Sequence, residues 1–211
     1  MVSYNKRKRN SQATRKRILE TAERIFAEEG FDAARVDRIA GEAEVNKALI
    51  YYYFKSKQAI LDELLDDFIQ TANGFLIEMA RQSYAFGSPE MLRQMQKYND
   101  YLLRRDTTLR LLLTESLKDS REVPPLFKLI DLDPASMDEK AAVAAMNERG
   151  FHLDTDEQQR RVTEFFTGIM PTIVYSLFRS KWCRYFDIEQ DKLDELFRKA
   201  NEETHYQHHL K

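Results

Sequence analysis

Lys47, Tyr51, Tyr52, Tyr53, Lys55 and Lys57 crowd ammonium and phenol groups into one short stretch. Ammonium groups neutralise nucleic-acid phosphates, and phenol hydroxyls hydrogen-bond phosphate oxygens. Between them, small Ala48 allows a close approach to base edges and Leu49 offers a contact for a thymine methyl. Other reactive residue types are sparse. His205, His208 and His209 have the i+3 and i+4 spacings that place two imidazoles on one helical face, but they are read here as a frayed terminal tail. His152, after Gly150-Phe151, has no carboxylate or thiol pattern to complete a metal site. Cys183, the single cysteine, has Lys181 and Arg184 nearby but no further reactive signature; a plain, partly buried thiol is expected over a redox switch. No phosphate loop, dinucleotide fingerprint or nucleophile elbow occurs. The sequence therefore gives no ground for an enzyme, a metal site or a cofactor.

Two short helices must hold the aromatic and basic residues in place. Val36, Ile39, Ala40 and Ala43 recur at i, i+3, i+4 and i+7, one apolar face of a two-turn supporting helix. Glu44-Val45-Asn46 interrupts that period, and Asn46 is suited to cap a second helix starting at Lys47, because its side-chain oxygen accepts an orphan backbone N–H. On the second helix Ile50 and Phe54 share a face with Val45, which leaves Lys47, Ala48, Leu49, Tyr52 and Tyr53 pointing elsewhere. That outer face fits a major groove, and the pattern is a helix-turn-helix.

At these residues the chain resembles the amino-terminal domain of the tetracycline-repressor (TetR) family of transcriptional regulators. The likeness runs from about Thr14 to Leu65 and rests on Ile18-Leu19, Ala22, Phe26, Gly30-Phe31, Val36, Ile39-Ala40, Ala43, Val45, Lys47, Tyr51, Phe54 and Lys57. It implies an all-helical homodimer in which Lys47, Ala48, Leu49, Tyr51, Tyr52, Tyr53 and Lys57 meet a double-stranded DNA operator, with Asn46 at the head of that group. It also implies a carboxy-terminal domain that binds a small-molecule effector. Three residues depart from the family pattern. Glu44 stands where a turn glycine is usual, so a left-handed Glu costing ~1 kcal/mol is expected. Leu49 replaces a common threonine, and Arg35 replaces a small capping hydroxyl residue but is long enough to reach a phosphate.

The whole sequence is consistent with an all-α fold. With 43% hydrophobic and 32% charged residues and only 6 Gly and 5 Pro, it favours long amphipathic helices, and no β-hairpin signal stands out. A lone cysteine excludes an intrachain disulfide framework, no apolar run reaches the ~18 residues of a membrane span, and the polar, basic start is unlike a secretory signal. Cytoplasmic location and no membrane partner are expected. Charge is unevenly spread: residues 1–60 hold 13 Lys+Arg against 8 Asp+Glu, and residues 61–211 hold 20 against 27. The reading end is thus +5 and the remainder −7. Lys6, Arg7, Lys8, Arg9, Arg15, Lys16 and Arg17 precede any acid, as an arm near phosphates or a solubilising tail would.

The expected organisation is a basic flexible arm at 1–13, a three-helix helix-turn-helix domain at 14–65, and a helical effector-binding and dimerisation domain at 66–211. A first helix should start between Ser11 and Thr14 and end at Gly30. Ser56 should cap a long or kinked helix that continues to about Met79. Further helices are expected from Pro89 to about Arg105, with Met91, Leu92, Met95, Tyr98 and Leu102 inward, and from Thr107 to Lys118. After breaks at Pro124-Pro125 and 131–134, an Ala-rich segment should occupy 135–147. A long helix opened by Asp154-Thr155-Asp156 should kink at Pro171, and a last one should span about Ile188–Glu203. The strong apolar stripes of the last two helices fit either an isologous four-helix dimer interface or the monomer's own core.

For the effector, Phe75, Met79, Leu109, Leu113, Phe166 and Met170 are candidate lining residues, with Arg105, Glu115 or Tyr175 as polar anchors; any of them also suits ordinary bundle core. Two function classes follow. One is a ligand-responsive, sequence-specific regulator, a repressor released from a palindromic operator by a small molecule. The other is an effector-independent interaction or architectural protein that keeps the helix-turn-helix as a scaffold.

Overall fold

The computed structural model of the protein describes residues 2–82, 84, 88–118, 122–130, 144, 147–148 and 154–210, and their side chains apart from those of 2–10, 76, 79–81 and 210. Most of the expected Ala-rich segment, His152 and the side chain of Met79 lie outside the described residues. The fold is all-α.

Helix α1 covers Val2–Glu29, so the basic amino-terminal segment forms its opening turns and not an irregular arm. The start lies well before the expected cap because residues 1–29 contain neither Pro nor Gly, and Lys and Arg are good helix formers. Gly30, at φ 82, ends the helix, and its N–H reaches Phe26 O at 2.9 Å. Helices α2 (Val36–Glu42) and α3 (Lys47–Tyr53) follow, then α4 (Lys57–Arg81), capped by the Ser56 hydroxyl accepting from Ala59 N at 3.0 Å. At 25 residues α4 is about 38 Å long, and it passes residue 65 and Gly74 without interruption.

The amino-terminal core is made of Ile18, Ala22, Ile25 and Phe26 from α1, Ile39 and Ala40 from α2, Ile50 from α3, and Ile60, Leu61, Leu64 and Leu65 from α4, all buried. The same cluster continues without a gap through Phe68, Ile69 and Ala72 to Leu102, Leu109, Leu112, Ile173 and Leu177. Helix α4 is therefore an element of both halves. Helices α5 (Pro89–Arg104) and α6 (Asp106–Ser116) pack on it, with the Ser88 hydroxyl capping α5 and Pro89 in its first turn. Leu92, expected inward, is 47% exposed. A 3₁₀ turn, Pro125–Leu129, follows the proline pair.

Asp156 caps α7 (Glu157–Thr163) by accepting from Gln159 N at 2.9 Å. The chain then widens into a π-helical turn, Glu164–Ile169, before α8 (Met170–Phe186). Sequence reasoning expected a kink at Pro171, and the widened turn just before it is how the helix meets that residue. Proline has no N–H to donate, and its ring crowds the carbonyl four residues back. The wider turn pairs Met170 N–H with Phe165 O, five residues back, and so opens the helix ahead of the ring.

Asp187, left-handed at φ 50, turns the chain into α9 (Gln190–Thr204). Tyr175 on α8 stacks on Phe197 of α9, with ring centroids 3.8 Å apart, and Arg179 and Tyr175 both bond Asp194. Burial alone would raise the Asp194 carboxyl, but the hydrogen bonds from Arg179 and Tyr175 outweigh it and hold the group below its ordinary range. The histidine tail is not frayed. A 3₁₀ turn, Tyr206–Leu210, folds back so that His205 and His209 are buried, at 7% and 1% exposure.

Glu44 has φ 52, the left-handed conformation expected where glycine is missing. Glu44→Gly removes about 1–2 kcal/mol of strain and returns about 0.4–1 kcal/mol through the freer unfolded chain. Urea unfolding should therefore give a net gain of about 0.5–1 kcal/mol. Glu44→Val should lower stability, because a β-branched residue tolerates positive φ least.

Candidate nucleic-acid interface

Two closures join α2 to α3. At the end of α2, Ala43 N–H bonds Ile39 O at 2.9 Å, and Val45 N–H reaches back to Ala40 O at 3.0 Å across the left-handed Glu44. At the start of α3, Asn46 Oδ1 accepts from Leu49 N at 2.7 Å, as its position predicts. Ile50, with no exposed surface, and Phe54, 3% exposed, then anchor α3 in the core, with Val45 packed beside them.

The opposite face of α3 is open. Tyr52 is 79% exposed, Tyr51 is 46% exposed, and Lys47 and Ala48 are also at the surface, with Leu49 half-buried. Lys47 Nζ lies 2.9 Å from Asp37 Oδ1 on α2, and the Asp37 hydrogen bond holds its ammonium above the usual lysine range. Arg35 is exposed at the start of α2, where it makes no side-chain cap, and Lys55 is exposed just beyond α3.

Two predicted contact residues turn inward. Tyr53 is half-buried; its hydroxyl donates to Ser11 Oγ of α1 at 3.0 Å, and its ring meets Tyr52 edge-to-face at 5.2 Å. Lys57 donates to three carbonyls of the loop between α1 and α2, Phe31 O at 2.6 Å, Asp32 O at 3.1 Å and Ala34 O at 2.9 Å, and lies 4.5 Å from the centre of the Phe31 ring. An ammonium with three donors is matched there by three acceptors, which makes Lys57 a clamp on the head. Arg15, counted among the basic leading residues, is likewise engaged, paired with Glu63 and set 5.0 Å over the Phe54 ring. None of the three partners is local in sequence, and composition alone reads all three residues as surface groups.

A second charged group lies on the same head. Arg38 pairs with Glu28, Glu29 and Glu42, and Arg24 with Glu28 and Glu42. Hydrogen bonds from Arg24 and then Arg38 hold Glu42 below the ordinary carboxylate range. These acids are neutralised within the head.

The head is also tied to the second half by polar contacts. Thr108 on α6 bonds Glu23 on α1, and Arg105 stands 3.2 Å from Thr108 Oγ1, 3.4 Å from Glu23 and 3.8 Å from Asp67 of α4. Lys118 bridges Asp32 of the head, at 2.9 Å, to Glu115 of α6, at 2.7 Å.

The predicted effector residues are only partly brought together. Leu109 belongs to the continuous core, Leu113 and Met170 pack against it partly buried, and Phe75 borders it through Tyr101, with ring centroids 5.5 Å apart. Phe166 is 65% exposed, its neighbour Phe165 being the buried one, and Tyr175 faces Phe197 of α9 instead of a cavity. The wider π turn shifts the helical register, which a fixed 3.6-residue period applied to Phe165 and Phe166 could not anticipate. Arg105 lines an open, charged cleft of about 450 Å³ shared by Glu20, Glu23, Arg24 and Glu28 of α1 with Arg104 and Thr107.

Comparison with known proteins agrees with this architecture. Residues 18–64 match the family described as bacterial regulatory proteins, tetR family. The chain is 30% identical over 116 residues to the HTH-type transcriptional repressor NicS of Pseudomonas putida, a stretch covering 53% of this chain and 52% of that protein. It is 45% identical over 58 residues to the HTH-type transcriptional repressor SCO4008 of Streptomyces coelicolor, covering 28% of this chain and 30% of that one. The chain thus spans about half, or less, of the length of these relatives. In fold it is similar to a TetR-family transcriptional regulator from Haemophilus influenzae, with a TM-score of 0.57 at 19% identity over 90% of this chain and 95% of that one. Residues 18–64 are thus similar to the tetR family of bacterial regulatory proteins, and the fold of the chain is similar to that of the Haemophilus influenzae regulator.

Proposed function

We propose that this protein is a cytoplasmic, ligand-responsive repressor that binds a near-palindromic DNA operator as a homodimer and leaves it when a small molecule binds. The observation that carries the reading is the division of α3 into a buried face, Ile50 with Phe54, and an open face bearing Lys47, Ala48, Tyr51 and Tyr52. An α-helix with such a face enters the major groove, where Lys47 and the tyrosine hydroxyls meet phosphates and Ala48 and Leu49 meet base edges. Arg35 and Lys55 flank it as phosphate contacts. Asn46, Tyr53 and Lys57 set its position and are not themselves base-reading groups.

Dimerisation is supported by a row of exposed apolar residues on α8, Val174, Phe178 and Trp182 at successive four-residue steps, then Tyr185 and Phe186, with Leu196 on α9. So many large apolar groups on one pair of helices mark an interaction face. An isologous pairing of α8 and α9 would cover them and present two α3 helices related by a two-fold axis. Among the described residues no helix is long and apolar enough to cross a membrane, in keeping with a protein that works on DNA in the cytoplasm.

The effector site is placed where Phe75, Leu109, Leu113 and Met170 approach the core between α4, α6 and α8, with Arg105 as the polar group nearest the head. Movement at α6 then has two routes to α3, one along α4 and one through Thr108 and Glu23 to α1. Rotating the heads of a dimer by a few ångströms is enough to spoil simultaneous seating in two half-sites.

Four outcomes test this reading. Binding to promoter DNA from the gene's own neighbourhood should weaken with salt at a log–log slope near −7, as for a dimer contacting ~8 phosphates, and a slope flatter than about −2 would overturn it. Footprinting should show paired protections about one helical turn, ~10 bp, or a small multiple apart. Tyr52→Ala should cut operator affinity and leave stability within about 0.5 kcal/mol, whereas Lys57→Met should cost about 1–3 kcal/mol of stability and Phe54→Ala about 3–5 kcal/mol. Equal melting losses for Tyr52→Ala and Phe54→Ala would contradict the face assignment. Finally, a ligand found by thermal-shift screening should bind operator-loaded protein about 1–3 kcal/mol more weakly than free protein. Equal affinities would favour an effector-independent protein.

A further inference from the structure

At the junction of α7 with α8, the π turn faces the folded-back carboxy-terminal tail. Glu164 begins that turn, and the rings of His205 and His209 sit against it with centroids 4.6 Å apart. Glu164 Oε1 lies 3.3 Å from His209 Nε2, Glu164 Oε2 lies 3.7 Å from His205 Nε2, and one donor atom from each of the three residues falls within 4.8 Å of the others. Metal–donor distances of about 2.0–2.1 Å in a tetrahedral site put neighbouring donors about 3.3–3.4 Å apart, which the two carboxylate–imidazole spacings approach.

The tautomer of His205 is set by its surroundings. Thr167 Oγ1 donates to Thr163 O at 2.7 Å and lies 2.8 Å from His205 Nδ1. With its proton committed to that carbonyl, the hydroxyl accepts from His205 Nδ1–H, which leaves a lone pair on Nε2, the atom turned toward Glu164. A lone pair on Nε2 and a carboxylate oxygen are both acceptors, and a proton or a cation must lie between them. The close fit also depends on Gly168, where a Cβ would come within 2.8 Å of His205 Cε1 and Nε2. Glu164, Thr167 and Gly168, at i, i+3 and i+4, present one face to this ring.

We propose that Glu164, His205 and His209 form a binding site for a divalent transition metal of the zinc class. Two imidazoles and one carboxylate are borderline ligands that suit Zn²⁺, Co²⁺ or Ni²⁺ over Mg²⁺ and Ca²⁺, and three protein ligands leave a fourth position for water or a small ligand. Thr167 holds one ligand from the second shell, as a hydrogen-bond partner on the remote ring nitrogen does in protein zinc sites. The loaded site would fasten the Tyr206–Leu210 turn to the π turn.

The test uses the full chain without an affinity tag, stripped with a chelator and then given zinc chloride or cobalt chloride. A single zinc per chain should survive desalting, the melting temperature should rise, and cobalt should give the visible absorption of a low-coordinate site; magnesium and calcium chloride should do neither. Glu164→Gln and His209→Ala should each weaken zinc binding more than tenfold, and Thr167→Val about 10–100-fold. His208→Ala and Cys183→Ser should leave it unchanged. Circular dichroism of the metal-free variants separates loss of a ligand from loss of fold. If either ligand variant does not fold, Thr167→Val carries the comparison. No zinc retained by the parent chain would overturn the site and assign the cluster to a proton shared between Glu164 and the imidazoles. Zinc retained equally by the parent and by the folded variants would overturn it as well.

Discussion

Anchoring of α3 by Ile50 and Phe54 is the contact on which the reading head depends. A seven-residue helix is far below the ~12–15 residues at which isolated helices become even marginal in water, so α3 exists because it is docked. Two buried side chains contribute about 1.5–3 kcal/mol each, and the Asn46 cap adds about 1 kcal/mol. Docking also decides orientation. With Ile50 and Phe54 fixed inward, Ala48, Tyr51 and Tyr52 must point out, and no contact of their own is needed to hold them there. The residues that look most like DNA ligands in composition are then divided by geometry. Tyr52 stays in solvent, whereas Tyr53 and Lys57 are used to brace α3 against α1 and α4 against the loop before α2.

Because the apolar core runs unbroken from Ile18 to Leu177, the head is not a module hung on a linker. Helix α4 supplies Ile60 to Leu65 to one end of that core and Phe68 to Ala72 to the other. Interiors packed at crystal-like density transmit displacement and do not absorb it. The polar ties made by Glu23, Thr108 and Arg105 add a second rigid connection beside the shared helix, so α6 cannot shift without α1 and α4 both responding. Two parallel connections favour rotation of the head as a body over bending within it.

Pro171 imposes a comparable constraint near the other end. A proline inside a long helix must be met by a break, a kink or a local change of pitch, and here the change of pitch occupies Glu164–Ile169. Its consequence reaches beyond the backbone. The wider turn sends Phe165 inward and Phe166 outward, while Glu164, Thr167 and Gly168, on one face at i, i+3 and i+4, give His205 and His209 a buried seat.

What was legible in the sequence is what is local. Asn46 and Ser56 cap the helices they precede, and helices start at the Gly87-Ser88-Pro89 and Asp154-Thr155-Asp156 signals, because a start is decided within three residues; the left-handed Glu44 was readable from the missing turn glycine. What was not legible depends on a partner brought from far along the chain. Tyr53 finds Ser11, Arg15 finds Glu63, Lys57 finds the carbonyls of Phe31, Asp32 and Ala34, and His205 finds Thr167. Lys55 and Lys57 make the difference concrete. They are the same residue type two positions apart, on the same basic edge, and no local rule separates them. Lys55 stays in solvent, while Lys57 opens α4 facing a loop whose carbonyls have no helix or strand to bond them. Unpaired carbonyls near a core demand donors, and a nearby ammonium with three of them answers that demand before any phosphate arrives.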